Sequence, residues 1–175
     1  NGEAIQASRR GRTPFFTRIQ RNHGLEHAAL HILSQRYPKR SLAGHSDAGG
    51  FWIIGNVPIE DIYECVEEGL SRLREGEKHL AVHRNCGTNF VTSGVLAGLA
   101  AGLTMLGAGK STRDRLERLP FAMFLATLAL IISQPLGFAV QERLTTSAEP
   151  GSLQVIEIAA ARKGRMKAHR INTRY

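Results

Sequence analysis

Charged residues vanish from two stretches of the chain, residues 90–109 and 119–140, of 20 and 22 residues. At 1.5 Å of rise per residue, either stretch is long enough as a helix to cross ~30 Å of hydrocarbon. Buried helices of small soluble proteins rarely stay uncharged that long, so the pattern argues against a purely soluble domain and predicts two transmembrane helices. Only residues 110–118 separate them, which makes a tight hairpin and leaves residues 1–89 and 141–175 on one side. In the first stretch Gly94, Gly98 and Gly102 stand four apart, a stripe of small residues that predicts a helix-packing face. In the second, Pro120 falls in the first turn, where a missing N–H costs little, and Pro135 predicts a bend. Gln134 is expected to satisfy the carbonyl that Pro135 frees, or to meet a partner.

The remaining pattern is that of a small α+β domain. Residues 1–21 read as a basic arm around Phe15 and Phe16 without helical period. Asn22 is a good N-cap for a helix that runs to Gln35 before Pro38 stops it. Residues 41–45 and 50–55 read as a hairpin, with Phe51, Trp52, Ile53 and Ile54 as its apolar strand and Trp52 as a packing residue. After Pro58, the stripe Ile59, Ile62, Val66, Leu70 and Leu73 predicts an amphipathic helix ending at Gly76, with Cys65 a packed thiol at the stripe's edge. A short strand at residues 80–82 and a turn at residues 83–89 then lead into the first apolar stretch. Beyond the second, residues 153–158 alternate as a strand and residues 162–170 form a basic tail. The expected fold class is an α+β membrane protein: a two-helix transmembrane hairpin (90–109, basic loop 110–118, 119–140) with a small α+β extramembrane domain at 22–89.

Composition hides this division, because 42% hydrophobic residues and a mean hydropathy of -0.18 are ordinary for a soluble globule. The net charge of +8 comes largely from short basic segments, 4 Lys+Arg in residues 110–118 and 7 in residues 141–175. Such segments beside a bilayer point to anionic lipid; a nucleic-acid partner is not expected, since no aromatic interleaving or known module accompanies them. Two cysteines fit a reducing compartment better than a disulfide-built module. A nine-residue loop moves across a membrane more easily than an 89-residue domain, so both termini are expected in the cytoplasm.

The first helix carries unusual chemistry. At 100° per residue His23, Glu26, His27 and His31 share a face that an ordinary helix would fill with Lys, Glu and Gln. Two imidazoles at i and i+4 can grip one Zn²⁺, with a nearby carboxylate as base, and His23-Gly-Leu-Glu26-His27 has the inverted HxxEH order. His83-Arg-Asn-Cys86 adds an imidazole and a thiol. The candidate ligands are therefore His23, His27, His83 and Cys86, with zinc as the cofactor and Glu26 as the candidate catalytic base. An ordered domain of about 70 residues has little core to spare, and a metal staple is a common remedy. The same face could instead hydrogen-bond the turn at Cys86 or meet another subunit.

The HGxEH and HxxCGT motifs, the second directly before a transmembrane helix, resemble those of the YqhQ-like and related uncharacterised families of bacterial membrane proteins. His23, Glu26, His27, His83, Cys86 and Gly87 all match. The resemblance covers about residues 22–105 and implies an integral protein of the bacterial inner membrane; the chain departs from it in having two crossings and basic tails at both ends. Two functions are expected from different classes. One is an accessory or scaffolding subunit of a larger membrane complex, docked through the glycine stripe and basic arms to other membrane subunits and lipid. The alternative is a membrane-anchored zinc-dependent hydrolase.

Overall fold

A computed structural model of the chain describes residues 13–109 and 111–175. Most of the basic arm, including Arg9, Arg10 and Arg12, lies outside the described residues, as does Lys110 of the loop. The chain forms two compact units, one built from the residues up to His83 together with Thr145–Tyr175, the other from Arg84–Leu144.

The first unit contains helices α1 (Phe15–Arg36) and α2 (Ile59–Arg74), a 3₁₀ turn at Lys78–Ala81, and strands β1 (Ala43–Asp47), β2 (Gly50–Ile54), β3 (Gln154–Lys163) and β4 (Met166–Arg174). The strands make one antiparallel sheet in the order β1-β2-β4-β3. Leu25 and Leu33 of α1, Ile62 and Val66 of α2, and Phe51, Ile53 and Ile171 of the sheet are fully buried in one core. Helix α2 follows its stripe: Ile62, Val66, Leu70 and Leu73 are buried, and Cys65 is packed beside them. The β1–β2 hairpin turns at Ala48-Gly49, and Gly50 adopts φ 146°. A Cβ at Gly50 would fall 1.9 Å from the Ile171 carbonyl oxygen, so only glycine lets β4 run alongside.

Three segments differ from the sequence-based expectation. Helix α1 begins at Phe15, so Asn22 is not its cap. Pro14 precedes the first turn, where no N–H is needed, and Asn22 is instead a buried junction: its Nδ2 donates to the Asp47 carbonyl at 2.8 Å, and its Oδ1 accepts from Thr173 and Tyr175, both at 2.8 Å. Residues 80–82 are not a strand. Leu80 and Ala81 bury their side chains in a 3₁₀ turn, and the carbonyls of Ala81 and Val82 are taken by histidines of α1 rather than by a sheet neighbour. The basic tail is not a tail but strand β4, inserted between β2 and β3. Arg170 forms a two-pronged pair with Asp47 at 2.7 and 2.9 Å and lies 5.4 Å from the Trp52 ring centroid. Ile171 and Thr173 meanwhile face inward.

The second unit is a pair of helices, α3 (Gly87–Met105) and α4 (Thr112–Val140), the latter extended by a π-helical turn at Gln141–Thr145. Ser111 caps α4 by accepting the Asp114 N–H at 3.1 Å. Both helices are long and apolar enough to cross a membrane, with windows of mean hydropathy 1.2 and 1.9. Their large apolar side chains point outward: Phe90 is 68% exposed, Leu103 65%, Phe124 62% and Ile131 63%. The helices meet through small and polar groups. Ser93 and Ser133 share a hydrogen bond of 2.6 Å, Gln141 donates to Asn89, and Gly137 packs against Asn89. The expected Gly94/Gly98/Gly102 stripe takes no part in this contact; it is exposed, and a Cβ at any of the three would have no neighbour within 4 Å.

The two sets of glycines should therefore respond oppositely to enlargement. Gly137→Leu places a side chain where Asn89 Oδ1 is already 2.7 Å from a bare Cβ, and such overpacking costs ~1–3 kcal/mol. Gly98→Leu should leave thermal unfolding in mild detergent unchanged; equal losses from both would overturn this packing. A pH dependence follows from Asp47, whose carboxyl is held below its usual range first by the Arg170 hydrogen bonds. A depressed folded-state pKa gives stability that is present above the unfolded value and lost as pH falls through the folded one. Asp47→Asn should thus cost about 0.5–1 kcal/mol at pH 7, discounted for the carboxylate's exposure, and almost nothing near pH 2. Denaturant titrations of both proteins at the two pH values test it.

Candidate metal centre

Four imidazoles gather in the first unit. His23, His27 and His31 rise along α1 four residues apart, and His83 follows the 3₁₀ turn that packs on that helix. Ring centroids are 4.4 Å apart for His23 and His27, 5.6 Å for His27 and His83, and 4.8 Å for His31 and His83.

Main-chain carbonyls orient three of the rings. His23 Nδ1 lies 2.9 Å from the Thr145 oxygen, His27 Nδ1 2.7 Å from Ala81, and His31 Nε2 2.8 Å from Val82. A carbonyl has no proton to give, so the bonded ring nitrogen carries the hydrogen. In the neutral ring the opposite nitrogen is then a lone pair: Nε2 of His23 and His27, Nδ1 of His31. His27 is held neutral, pushed down to about 3 chiefly by burial and then by the neighbouring His23. Burial, and after it His31, also lowers His83.

Gly24 explains how the Thr145 carbonyl reaches the helix. A Cβ at Gly24 would stand 2.1 Å from the Ser147 carbonyl oxygen, and the Ser147 N–H donates to the Gln20 carbonyl at 2.9 Å. The returning chain thus lies against the bare backbone of α1 and sets Thr145 beside His23.

Glu26 has a different environment. It is 4% exposed, accepts a hydrogen bond from the Ser46 hydroxyl, and fits against β1 because position 44 is glycine, where a Cβ would fall 2.0 Å from Oε1. Burial pushes its pKa up to about 7, against the opposing effects of the Ser46 bond and His23. That value lies in the range suited to a general base at neutral pH.

Of the sequence-predicted ligands, His23 and His27 stand ring beside ring on α1, and the His83 ring lies next to that of His27. Cys86 belongs to the second unit, where it is buried and precedes the first turn of α3. His31 joins these imidazoles without being among the four candidate ligands; its signal in the sequence is one more step of the i, i+4 repeat. The carbonyls of Ala81, Val82 and Thr145, and the contacts of Gly44 and Ser46 with Glu26, have no signature in the sequence. Imidazole nitrogens of fixed tautomer are donors of the kind that zinc and other first-row metals take.

Residues 18–158 match a family model described as Domain of unknown function (DUF6391). The chain belongs to the DUF6391 family. The DUF6391 match takes in His23, His27, His31 and His83, Glu26, Cys86 and both apolar helices, and it ends within β3. The family so identified is DUF6391 rather than the YqhQ-like families that the two motifs resemble. An uncharacterized protein of Picosynechococcus sp. is 37% identical over 150 residues, covering 80% of this chain and 71% of that protein. No solved structure matches.

The close approach at Gly24 is directly testable. Gly24→Val should cost ~2 kcal/mol or more of stability, because the obstructing Ser147 oxygen is backbone and cannot swing away. Thermal unfolding measures the loss, and an unchanged midpoint would show that the returning chain is not held there.

Proposed function

We propose that this chain is a membrane-anchored metal-binding protein that serves as an accessory subunit of a larger complex in the bacterial cytoplasmic membrane. In this reading α3 and α4 cross the bilayer as a hairpin, with both ends of the chain on the cytoplasmic side, since a short loop crosses most easily. His23, His27, His83 and Cys86 hold one zinc ion, a donor set of the kinds zinc prefers. Cys86 follows His83 by three residues, no more than ~11 Å of extended chain.

The observation that carries the metal reading is the carbonyl anchoring of the imidazoles. Metal-ligating histidines usually donate their second ring N–H to a carbonyl or carboxylate, which fixes the tautomer and aims the lone pair. His23 and His27 have that arrangement through Thr145 and Ala81. A bound zinc ion would supply positive charge and a cross-link between α1 and the turn at His83. The accessory role is supported by the uncovered Gly94/Gly98/Gly102 stripe, a surface suited to close approach by another subunit's helix.

One observation favours the hydrolase alternative: Glu26 stands beside His27 with its pKa raised to about 7. Its part would be to hold a proton at its carboxyl oxygens near neutral pH, while zinc supplied Lewis acidity. The buried contacts with Ser46 and Gly44 are equally those of a structural carboxyl, so the accessory reading leads.

Metal analysis of the full chain purified in mild detergent tests the proposal. Wild type should carry about one zinc per chain, and His27→Ala and Cys86→Ala should each lose most of it. A wild type without stoichiometric metal overturns the metal reading. Glu26→Gln that keeps its metal but loses turnover on a membrane substrate would put the hydrolase ahead. A lone monomer without co-purifying subunits would count against the accessory role.

A further inference from the structure

The sheet register gathers cations at one end of the first unit. Ala43 pairs with Ile54, Ile54 with Ala168, and Lys163 with Met166, so the start of β1, the end of β2 and the β3–β4 turn are neighbours. That end carries Lys39, Arg40, Arg162, Lys163, Arg165 and Lys167, all exposed. No acidic residue lies between Glu157 and the chain's end. Beyond the end of β2 the next acidic groups along the chain are Glu60 and Asp61 at the start of α2, and Asp61 is bonded to Arg36 and Tyr37 and also drawn to Arg40.

Apolar groups stand among the cations. A cavity of about 340 Å³ opens there, lined by Leu42, Ile54, Met166 and Lys167 among others. Met166, the first residue of β4 after the β3–β4 turn, is 57% exposed and has basic residues on either side. Lys163 Nζ lies 5.8 Å, and the Arg170 guanidinium 5.4 Å, from the Trp52 ring centroid.

We propose that this end of the sheet is a binding surface for the anionic phospholipid headgroups of a bilayer. Lys39, Arg162, Lys163, Arg165 and Lys167, together with Arg40, whose charge also acts on Asp61, complement a negatively charged lipid surface, and an exposed apolar side chain set among them can enter the boundary beneath the headgroups. Single-stranded nucleic acid would be met by open aromatic faces on which bases stack. Here both nearby rings already have cations against them, Tyr37 with the Arg40 guanidinium 4.3 Å from its centroid and Trp52 with Lys163 and Arg170 at 5.8 and 5.4 Å, and the exposed apolar side chain is Met166. The inference uses none of the histidines, so it stands apart from the metal reading.

Trp52 is the chain's single tryptophan and reports on this surface. The full chain, reconstituted in nanodiscs of phosphatidylcholine with or without about 30% phosphatidylglycerol, is examined with brominated acyl chains that quench tryptophan on approach. Quenching should be roughly twofold stronger in the anionic discs, and about 0.5 M NaCl should abolish the excess. The triple substitution Arg162→Glu, Arg165→Glu and Lys167→Glu alters exposed side chains and should remove the anionic preference with an unchanged circular dichroism spectrum. Met166→Gln, which leaves the charge intact, should weaken quenching without abolishing it. Equal quenching in both kinds of disc, or an excess that survives the triple substitution, overturns the proposal. So does tight binding of a single-stranded RNA, abolished by the triple substitution, with no lipid preference.

Discussion

Packing imidazoles along one helix, with His27 buried and His23 and His31 half-buried, leads each ring to a partner for its N–H, and in this chain the partners are main-chain carbonyls from distant segments. An unsatisfied buried donor costs ~1–3 kcal/mol, so His23, His27 and His31 together constrain where the chain on either side of the apolar helices can run. Ala81 and Val82 must turn their carbonyls toward α1, which a 3₁₀ turn allows and a paired strand would not. Thr145 must return to His23, and it does so where Gly24 leaves the helix backbone bare. The segment that leads into α3 and the one that returns from α4 are thereby fastened to one helix. The same bonds that organise the fold also select which ring nitrogens are left as lone pairs.

Periodic elements were legible in the sequence. The stripe of α2, the β1–β2 hairpin and the two apolar helices each announce themselves through one regularity of spacing, and Ile62, Val66, Phe51 and Ile53 are buried as that spacing requires. What stayed hidden depended on distant partners. Residues 15–21 show no helical period, because Arg18 and Arg21 lie 5.4 and 6.0 Å from the ring of Tyr175 at the far end of the chain. β4 was masked by its own cations: Ala168, Ile171 and Thr173 were there to be read, but Lys167 and Arg170 between them suggested solvent. The glycine stripe is a different case. It reports that a helix can be approached closely, and it is silent on which neighbour does so.

The candidate site divides along the same line. His23, His27 and His83 were available from residue type and spacing, since two imidazoles at i, i+4 share a helix face wherever that helix goes. Their tautomers were not available, because the anchoring carbonyls lie 54 and 122 residues away in sequence for His27 and His23. Nor was the environment of Glu26. HxxEH places a carboxylate on the metal-facing turn, yet the carboxyl of Glu26 is bonded to Ser46 and seated against Gly44. Motif order alone does not assign it to catalysis; what a carboxyl can do depends on the strand it meets as much as on the helix that carries it.

The net charge of +8 acquires a second meaning once the cations are placed. Arg170 is bound to Asp47 and covers Trp52, Arg36 bridges Asp61 and Glu64, and Arg72 holds Glu77. These guanidiniums join elements of the fold, and each is matched by a carboxylate. Lys39, Arg162, Lys163, Arg165 and Lys167 have no such carboxylate partner among the described residues; the antiparallel register brings the last four to one end because β3 and β4 meet there at a two-residue turn. Cations that were scattered in sequence thus separate into a structural set, neutralised within the unit, and a set left to face outward. It is the second set, rather than the total charge, that determines what this unit can attract, and an antiparallel sheet that closes its last hairpin at that end is what concentrates it.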